Sequence, residues 1–253
     1  MTRLSSVERA IKVLEILAER NEIGVTELAA LVKVDKSNAS RLLQTLQRFD
    51  YVRRIPATGR YGLGPAVVHL AQGFLRGFEL REMMRPYLRR LYEATHETVT
   101  LVVEQGLRAI FVDKLESPHS LRTHVEIGQT IPMHAGSTSK ALMAHLPRAR
   151  QLEILESAGM PRLTENTIVD RNELFVHLEE VRRRGYAISV EETGYGAGGV
   201  AAAVLNSKRE PVAAIGVGWP IARVSEARLH EIGRLVRDVA AEATAELSRF
   251  EVA

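Results

Sequence analysis

The sequence predicts an α+β chain in two parts: a small helical unit closed by a hairpin, then a larger antiparallel sheet flanked by helices. Three observations predict it. Up to Phe49 the apolar residues recur with helical spacing; from Thr98 the period shortens to two and β-branched residues dominate; after Ser225 the helical period returns. The 253 residues, 45% apolar and 26% charged, suffice for two domains of ordinary size. There is no apolar run of membrane-spanning length and no basic-then-apolar leader at the N-terminus. With no cysteine, disulfides and thiolate metal sites are excluded, and a cytoplasmic protein is expected.

Ser5-Ser6-Val7-Glu8 reads as a capping box, with Ser5 at the N-cap and Glu8 at the third helical position. Val7, Ala10, Ile11, Leu14, Leu17 and Ala18 then form an apolar stripe, predicting an amphipathic helix over residues 6–20. After a break at Asn21-Glu22-Ile23-Gly24, Thr26 is placed to cap a short helix through Val32. A third helix follows from Asp35 to Phe49. At about 100° per residue, Ala39, Leu42, Leu43, Leu46 and Phe49 gather on one side of it. Ser37, Ser40, Arg41, Gln44 and Arg48 gather opposite, flanked by Lys36 and Asn38. That outward stripe carries hydroxyls, amides and guanidiniums and no carboxylate, the groups that donate to phosphates and to base edges in a major groove. A solvated face normally mixes both signs of charge; this one does not.

Helix, short helix, tight connection and polar-faced helix is the helix-turn-helix order. Tyr51–Leu63 supplies two short β-prone runs around Pro56-Ala57-Thr58-Gly59, a hairpin bearing Arg53, Arg54 and Arg60. This is the pattern of a winged helix whose arginines rest on the phosphodiester backbone. Charge distribution agrees. Residues 1–65 hold 11 Lys+Arg against 7 Asp+Glu, leaving 23 against 24 for the remainder, so all the excess positive charge lies in the first part.

We divide the chain into a winged helix-turn-helix domain (1–64), a linker helix (65–79) and an effector-binding and oligomerisation domain (80–253). The linker helix follows Pro65 and is apolar through Val67, Val68, Leu70, Phe74 and Leu75; its apolar face needs a partner, which a second subunit would supply. A helix is expected over about 80–95. Strands are expected at Thr98–Glu104, Ala109–Leu115 and Leu121–Ile127, and residues 139–157 are expected to be helical. Leu163–Ile168 reads as loop or short strand, and Asp170 caps a helix running to about Arg184. Arg182-Arg183-Arg184 precedes Gly185, where cations complement a helix end, so we read it as structural. Three more strands, Tyr186–Val190, Val200–Asn206 and Val212–Gly218, lead to a long terminal helix.

Two motifs resemble chemistry. Ser137-Thr138-Ser139-Lys140 matches the S-x-x-K of some acyl enzymes, but the companion motifs are absent. A small-residue entry to a helix N-terminus, where free N–H groups hold an anion or polar ligand, is the reading we adopt. Gly194–Gly199 satisfies G-x-G-x-x-G, but a strand follows it where a dinucleotide site needs a helix, so it reads as a loop or lid. His119, His124, His134 and His145 form no compact ligand set, so neither metal nor cofactor is expected. Trp219 either packs in the core or walls a pocket.

With these pieces in place, the chain resembles the IclR family of bacterial transcriptional regulators along nearly its whole length. The resemblance is carried by Thr26-Glu27-Leu28-Ala29, by Lys36-Ser37-x-Ala39-x-Arg41-Leu42-Leu43-x-Thr45-Leu46 and by Arg60-Tyr61-x-Leu63-Gly64. Ile131-Pro132-Met133-His134-Ala135, Lys140-Ala141-Leu142-Met143-Ala144, Arg183-x-Gly185-Tyr186-Ala187 and Glu191-Glu192 continue it. The resemblance implies a winged helix-turn-helix joined to a GAF-like effector domain, homodimers or tetramers, and control of nearby, often catabolic, genes. In members that bind small oxo-acids, a glycine stands at Ser139, an aspartate at Ser189, a cysteine at Gly199 and two serines at Gly216 and Gly218.

The function expected is a ligand-responsive regulator, a repressor of a catabolic operon, reading a palindromic duplex operator through Thr26, Lys36, Ser37, Asn38, Ser40, Arg41, Gln44, Arg53, Arg54 and Arg60. Its effector pocket is expected at Met133, Gly136, Ser137, Thr138, Ser139, Ser189, Gly199, Gly216, Gly218 and Trp219. With Gly199, Gly216 and Gly218 bare, volume should open there for an effector larger or less acidic than a small oxo-acid: an organic acid, an aromatic compound or a lactone. Two alternatives remain at this stage: a constitutive DNA-binding protein with a purely oligomerising second domain, and an acyl hydrolase using Ser137 and Lys140.

Overall fold

A computed structural model describes residues 5–76 and 79–250, without the side chains of Ser5, residues 72–76, Glu79 and Phe250. Contacts divide the chain into two units, Met1–Phe78 and Glu79–Ala253. Among the described residues no helix is long and apolar enough to cross a membrane.

The first unit runs α1 (Ser5–Arg20), α2 (Val25–Val32), α3 (Lys36–Arg48), β1 (Val52–Arg54), β2 (Tyr61–Leu63) and α4 (Ala66–Arg76). The side chain of Ser5 lies outside the described residues, and with it the proposed cap. α2 begins one residue before Thr26, with Gly24 at its N-cap, so Thr26 is helical and exposed instead of capping. The α2–α3 turn is closed by Lys33 in the left-handed conformation and by the Val34 N–H on the Ala29 carbonyl. Val13, Leu17, Ile23, Leu28, Leu43 and Val52 form the core. Val13 falls outside the predicted stripe of α1, whereas Val7 and Ile11 lie half exposed. Phe49 is also turned out, under the Arg48 guanidinium at 4.9 Å. The hairpin gains a third, single-bridge edge because Ile23 and Tyr61 exchange backbone hydrogen bonds of 2.8 and 2.9 Å. Gly64 has to be glycine: a Cβ there would stand 2.1 Å from the Asp50 carbonyl oxygen.

The second unit contains α5 (Glu79–Thr95), β3 (Thr98–Gln105), β4 (Arg108–Leu115), β5 (Thr130–Pro132), α6 (Ser137–His145), α7 (Arg148–Ala158), α8 (Arg171–Arg184), β6 (Ala187–Val190), β7 (Ala197–Leu205), β8 (Pro211–Pro220) and α9 (Glu226–Phe250). The sheet order is β5-β4-β3-β8-β7-β6, with every neighbouring pair antiparallel. α6 packs against β7, β8 and β3, with α8 beside it, and one core joins them through Phe111, Leu142, Met143, Leu174, Ala201 and Ala214. α5 and α9 pack against each other and on the sheet as well.

Three sequence expectations change here. Leu121–Ile127 is not a strand; the ladder on β4 resumes only at Gly128 and Gln129, which bond to Phe111, and β5 pairs beyond them. The alternation in 121–127 thus has no sheet edge to complete it, and Leu121 is 65% exposed. The helical stretch expected over 139–157 begins earlier, at Ser137, and is interrupted, since Pro147 lacks an N–H and forces Leu146 out of helical geometry, to ψ 148°. Gly198 and Gly199 belong to strand β7 and not to a loop. Asp170 caps α8 as expected, accepting from the Glu173 N–H at 2.8 Å, and Gly185 ends that helix in the left-handed conformation. Arg182 reaches across to the Ala144 and Leu146 carbonyls, the free end of α6.

Candidate nucleic-acid interface and ligand cavity

On α3 the polar stripe is built outward from one cap. The Asp35 carboxylate accepts the Asn38 N–H and the Ser37 hydroxyl, each at 2.8 Å, and also the Asn38 side-chain amide. The Asn38 backbone N–H, then the Ser37 hydroxyl, hold Asp35 well below its ordinary range, at about 2. The Asn38 amide oxygen in turn accepts from Arg41. A chain Asp35–Asn38–Arg41 therefore fixes the guanidinium on the outward face, at the cost of one N–H that would otherwise be free for a phosphate. Lys36, Ser37, Arg41 and Gln44 are exposed, with Asn38 and Ser40 half-buried beside them.

On the hairpin, Arg53 and Arg54 are exposed and steadied by single bonds to the Leu63 and Gly59 carbonyls, at 3.2 and 3.3 Å. Arg60 differs. It donates to Glu27 at 2.8 Å and lies 3.4 Å from Glu22, so its charge is already matched by two carboxylates. In the free protein Arg60 thereby ties the wing to α2.

In the second unit a cavity of about 530 Å³ opens between the sheet and the N-terminus of α6. Thr98 and Thr100 of β3, Gly199 of β7 and Gly216 and Gly218 of β8 form one wall; Phe111, Val125, Ile131, Pro161 and Leu163 supply an apolar one. Among the described residues no Asp or Glu lines it, and Arg108 is its one Lys or Arg. Gly136 is the N-cap of α6 and has no side chain with which to cap it, so the amides after it remain available beside Ser137 and Thr138.

Behind this opening lies a buried ion pair. The Lys140 ammonium bonds Glu192 and also the Ile188 carbonyl at 2.9 Å, while Glu192 accepts the Gly136 N–H at 3.2 Å. Burial pushes the Lys140 pKa down, and Glu192 pulls it back. Glu192 thereby fastens the 191–196 loop to the mouth of α6. Lys140 is spent on that fastening and is no free base for Ser137.

The family models of the IclR helix-turn-helix domain and of the bacterial transcriptional regulator IclR C-terminal domain match residues 6–56 and 72–245. The transcriptional repressor IclR of Escherichia coli is 33% identical over 245 residues, 96% of this chain and 89% of that one. The chain belongs to the IclR family of bacterial transcriptional regulators. It is a DNA-binding transcriptional regulator and not an enzyme. The E. coli repressor AllR is 29% identical over 236 residues, 93% of this chain and 87% of that one. In fold, a regulator from Rhodococcus sp. RHA1 superposes with a TM-score of 0.84 at 26% identity, covering 98% of this chain and all of that one. An IclR homologue from Microbacterium hydrocarbonoxydans, complexed with 4-hydroxybenzoate, superposes with a TM-score of 0.79 at 21% identity, over 96% of this chain and 98% of that one.

Within this IclR-family chain the cavity gathers Gly136, Ser137, Thr138, Gly199, Gly216 and Gly218, six of the residues singled out from sequence. Four others lie elsewhere. Trp219 is 1% exposed and away from the cavity, because residues alternate along β8 and Gly216 and Gly218 already face it. Met133 belongs to the α6–α8 core. Ser139 is fully buried, its hydroxyl without a partner among the described residues, and Ser189, although paired with Gly199, is buried outside the lining. Thr98, Thr100, Arg108, Phe111, Thr123 and Thr193 line the cavity and went unnoticed from sequence. Thr98 and Thr100 alternate along β3, which marks a face without saying what it faces; the other four stand on β4 and in loops and are brought in by packing.

Proposed function

We propose that this regulator binds a palindromic duplex operator as a homodimer or a dimer of dimers, and that a small organic effector in the 530 Å³ cavity sets its affinity. The cavity is the observation that carries the reading: it has the size of a ligand site, an apolar wall, a few convergent polar groups and an uncapped helix end. Lys36, Ser37, Asn38, Ser40, Arg41 and Gln44 read the major groove, and Arg53 and Arg54 rest on phosphates. The 4-hydroxybenzoate held by the Microbacterium homologue and the repressor relatives support an organic-acid effector and a repressor. A cytoplasmic location follows from the target.

Self-association is supported by an apolar groove on the first unit, where Val7, Ile11, Leu14, Leu42, Leu46 and Leu70 line about 590 Å³. The expected linker helix corresponds to α4, while Gly77 and Phe78 fall outside the described residues.

A gel-shift titration on a duplex selected from a random library, with and without aromatic acids, aliphatic acids and lactones, tests the reading. A change in operator affinity with at least one compound is expected. Tight operator binding that no compound alters, in a protein whose melting temperature no compound raises, would establish the constitutive alternative.

A further inference from the structure

The glycines of the sheet wall are not open space. A Cβ on Gly216 would stand 2.7 Å from the Thr138 γ-methyl and 3.1 Å from the Ala201 Cβ. One on Gly199 would stand 3.2 Å from the Ser137 hydroxyl, and one on Gly218 would stand 3.1 Å from the Thr123 hydroxyl. Each bare position is occupied by a hydroxyl-bearing side chain from α6 or from the loop before β5. Thr100, directly paired with Gly216 across β3 and β8, adds a fourth. Thr100 and Thr138 are each only 7% exposed and line the cavity, yet neither hydroxyl bonds to another described residue. Neither oxygen is sealed off from the cavity, so a molecule held there can supply the missing partner.

We infer that Thr100 and Thr138, with Ser137 and Thr123 beside them, are the specificity-determining residues of this cavity, and that together with the first-turn amides of α6 they take the carboxylate end of an effector whose body is apolar. The inference rests on the effector reading above and deepens it. Chemistry sets the class. Hydroxyls and amide N–H groups donate to an oxyanion, a helix N-terminus favours negative charge, no Asp or Glu belongs to the lining, and Glu192 behind Gly136 is matched by Lys140. At about 530 Å³, with Phe111, Ile131 and Leu163 also in its lining, the cavity suits a body larger than that of a two- or three-carbon acid. The glycines are clearances: they let α6 and the 116–129 loop bring hydroxyls in from above the sheet, so a serine on β8 is not needed and Gly216 leaves no room for one.

The experiment uses the full chain with benzoate, 4-hydroxybenzoate, phenylacetate and hexanoate, each beside its neutral methyl ester, and with pyruvate and γ-butyrolactone, by calorimetry. At least one of the larger acids should bind, and its ester at least tenfold more weakly. Thr138→Val and Thr100→Val should each weaken that acid about tenfold or more, and Thr138→Ser should restore it. Independently of any ligand, Gly216→Ala should lower the melting temperature by on the order of 5 °C, and by less than half of that when Thr138 is also Ala. Binding of an acid that survives both valine variants, or an unchanged Gly216→Ala penalty in the Thr138→Ala background, overturns the inference and leaves the effector reading standing. So does binding of the esters or the lactone in preference to the acids. If no compound binds the wild type, both fall together.

Discussion

The two units place their functional groups in opposite ways. On α3 the groups that face solvent share one helix, within nine residues from Lys36 to Gln44, held by a local chain from Asp35 through Asn38 to Arg41. The cavity of the second unit draws its lining from β3, β4, β5, β7, β8, α6 and the loops between, and the groups that matter are the ones buried. A surface that reads a long polymer needs an exposed row with local order. A surface that encloses a small molecule needs convergence from distant parts of the chain. Substitutions on α3 should therefore act on binding and spare the fold, whereas those behind the cavity should act on the fold first.

The harshest test of that contrast is the Lys140–Glu192 pair. Replacing either partner alone leaves a buried charge uncompensated, and Lys140→Met or Glu192→Gln should cost about 3–5 kcal/mol in urea denaturation of the second unit. A loss below 1 kcal/mol for both would show that the pair does not fasten the loop to α6. Next in size come Arg41→Ala and Gln44→Ala, each expected to weaken operator binding by about 1–3 kcal/mol with no change in melting temperature. A melting-temperature loss in step with the affinity loss would erase the distinction between the two units.

The hairpin sharpens the comparison, because it holds both kinds of residue. Arg53→Ala and Arg54→Ala should weaken all duplexes alike and reduce the slope of log affinity against log salt by about 1 each. Arg60→Ala should leave that slope unchanged and instead destabilise the first unit by roughly 0.2–1 kcal/mol, since it breaks a partly exposed pair of ion pairs with Glu22 and Glu27. A changed salt slope for Arg60→Ala would return that residue to the DNA contacts.

A last contrast is read against pH, and it belongs to the histidines of the second unit. Burial lowers the His177 pKa to about 4, and it also lowers those of His134 and His145. The unfolded chain binds protons below its ordinary histidine range, near 6.5, while the folded chain resists until about 4. Stability is therefore fully present above about 6.5 and drains away as pH falls toward 4. His177→Gln should flatten the melting temperature between those values, and an equally steep decline in that variant would assign the loss to other groups.

Much of this was legible in the sequence because it depends on neighbours along the chain. Helical periodicity placed α3 and its polar face; Asp35 and Asp170 announced their caps; Pro56 and Gly59 marked the hairpin; Gly185 marked the end of α8. Only the tertiary structure could decide what stands across from what. It showed that Arg60 spends its charge on Glu22 and Glu27, that alternation turns Trp219 away from the cavity its glycine neighbours face, and that Lys140 is held by Glu192. It also showed that the volume expected above Gly199, Gly216 and Gly218 is already occupied by Ser137, Thr138 and Thr123. A glycine in a sequence reports a missing side chain; whether the vacated space is empty depends on atoms tens of residues away, brought there by packing.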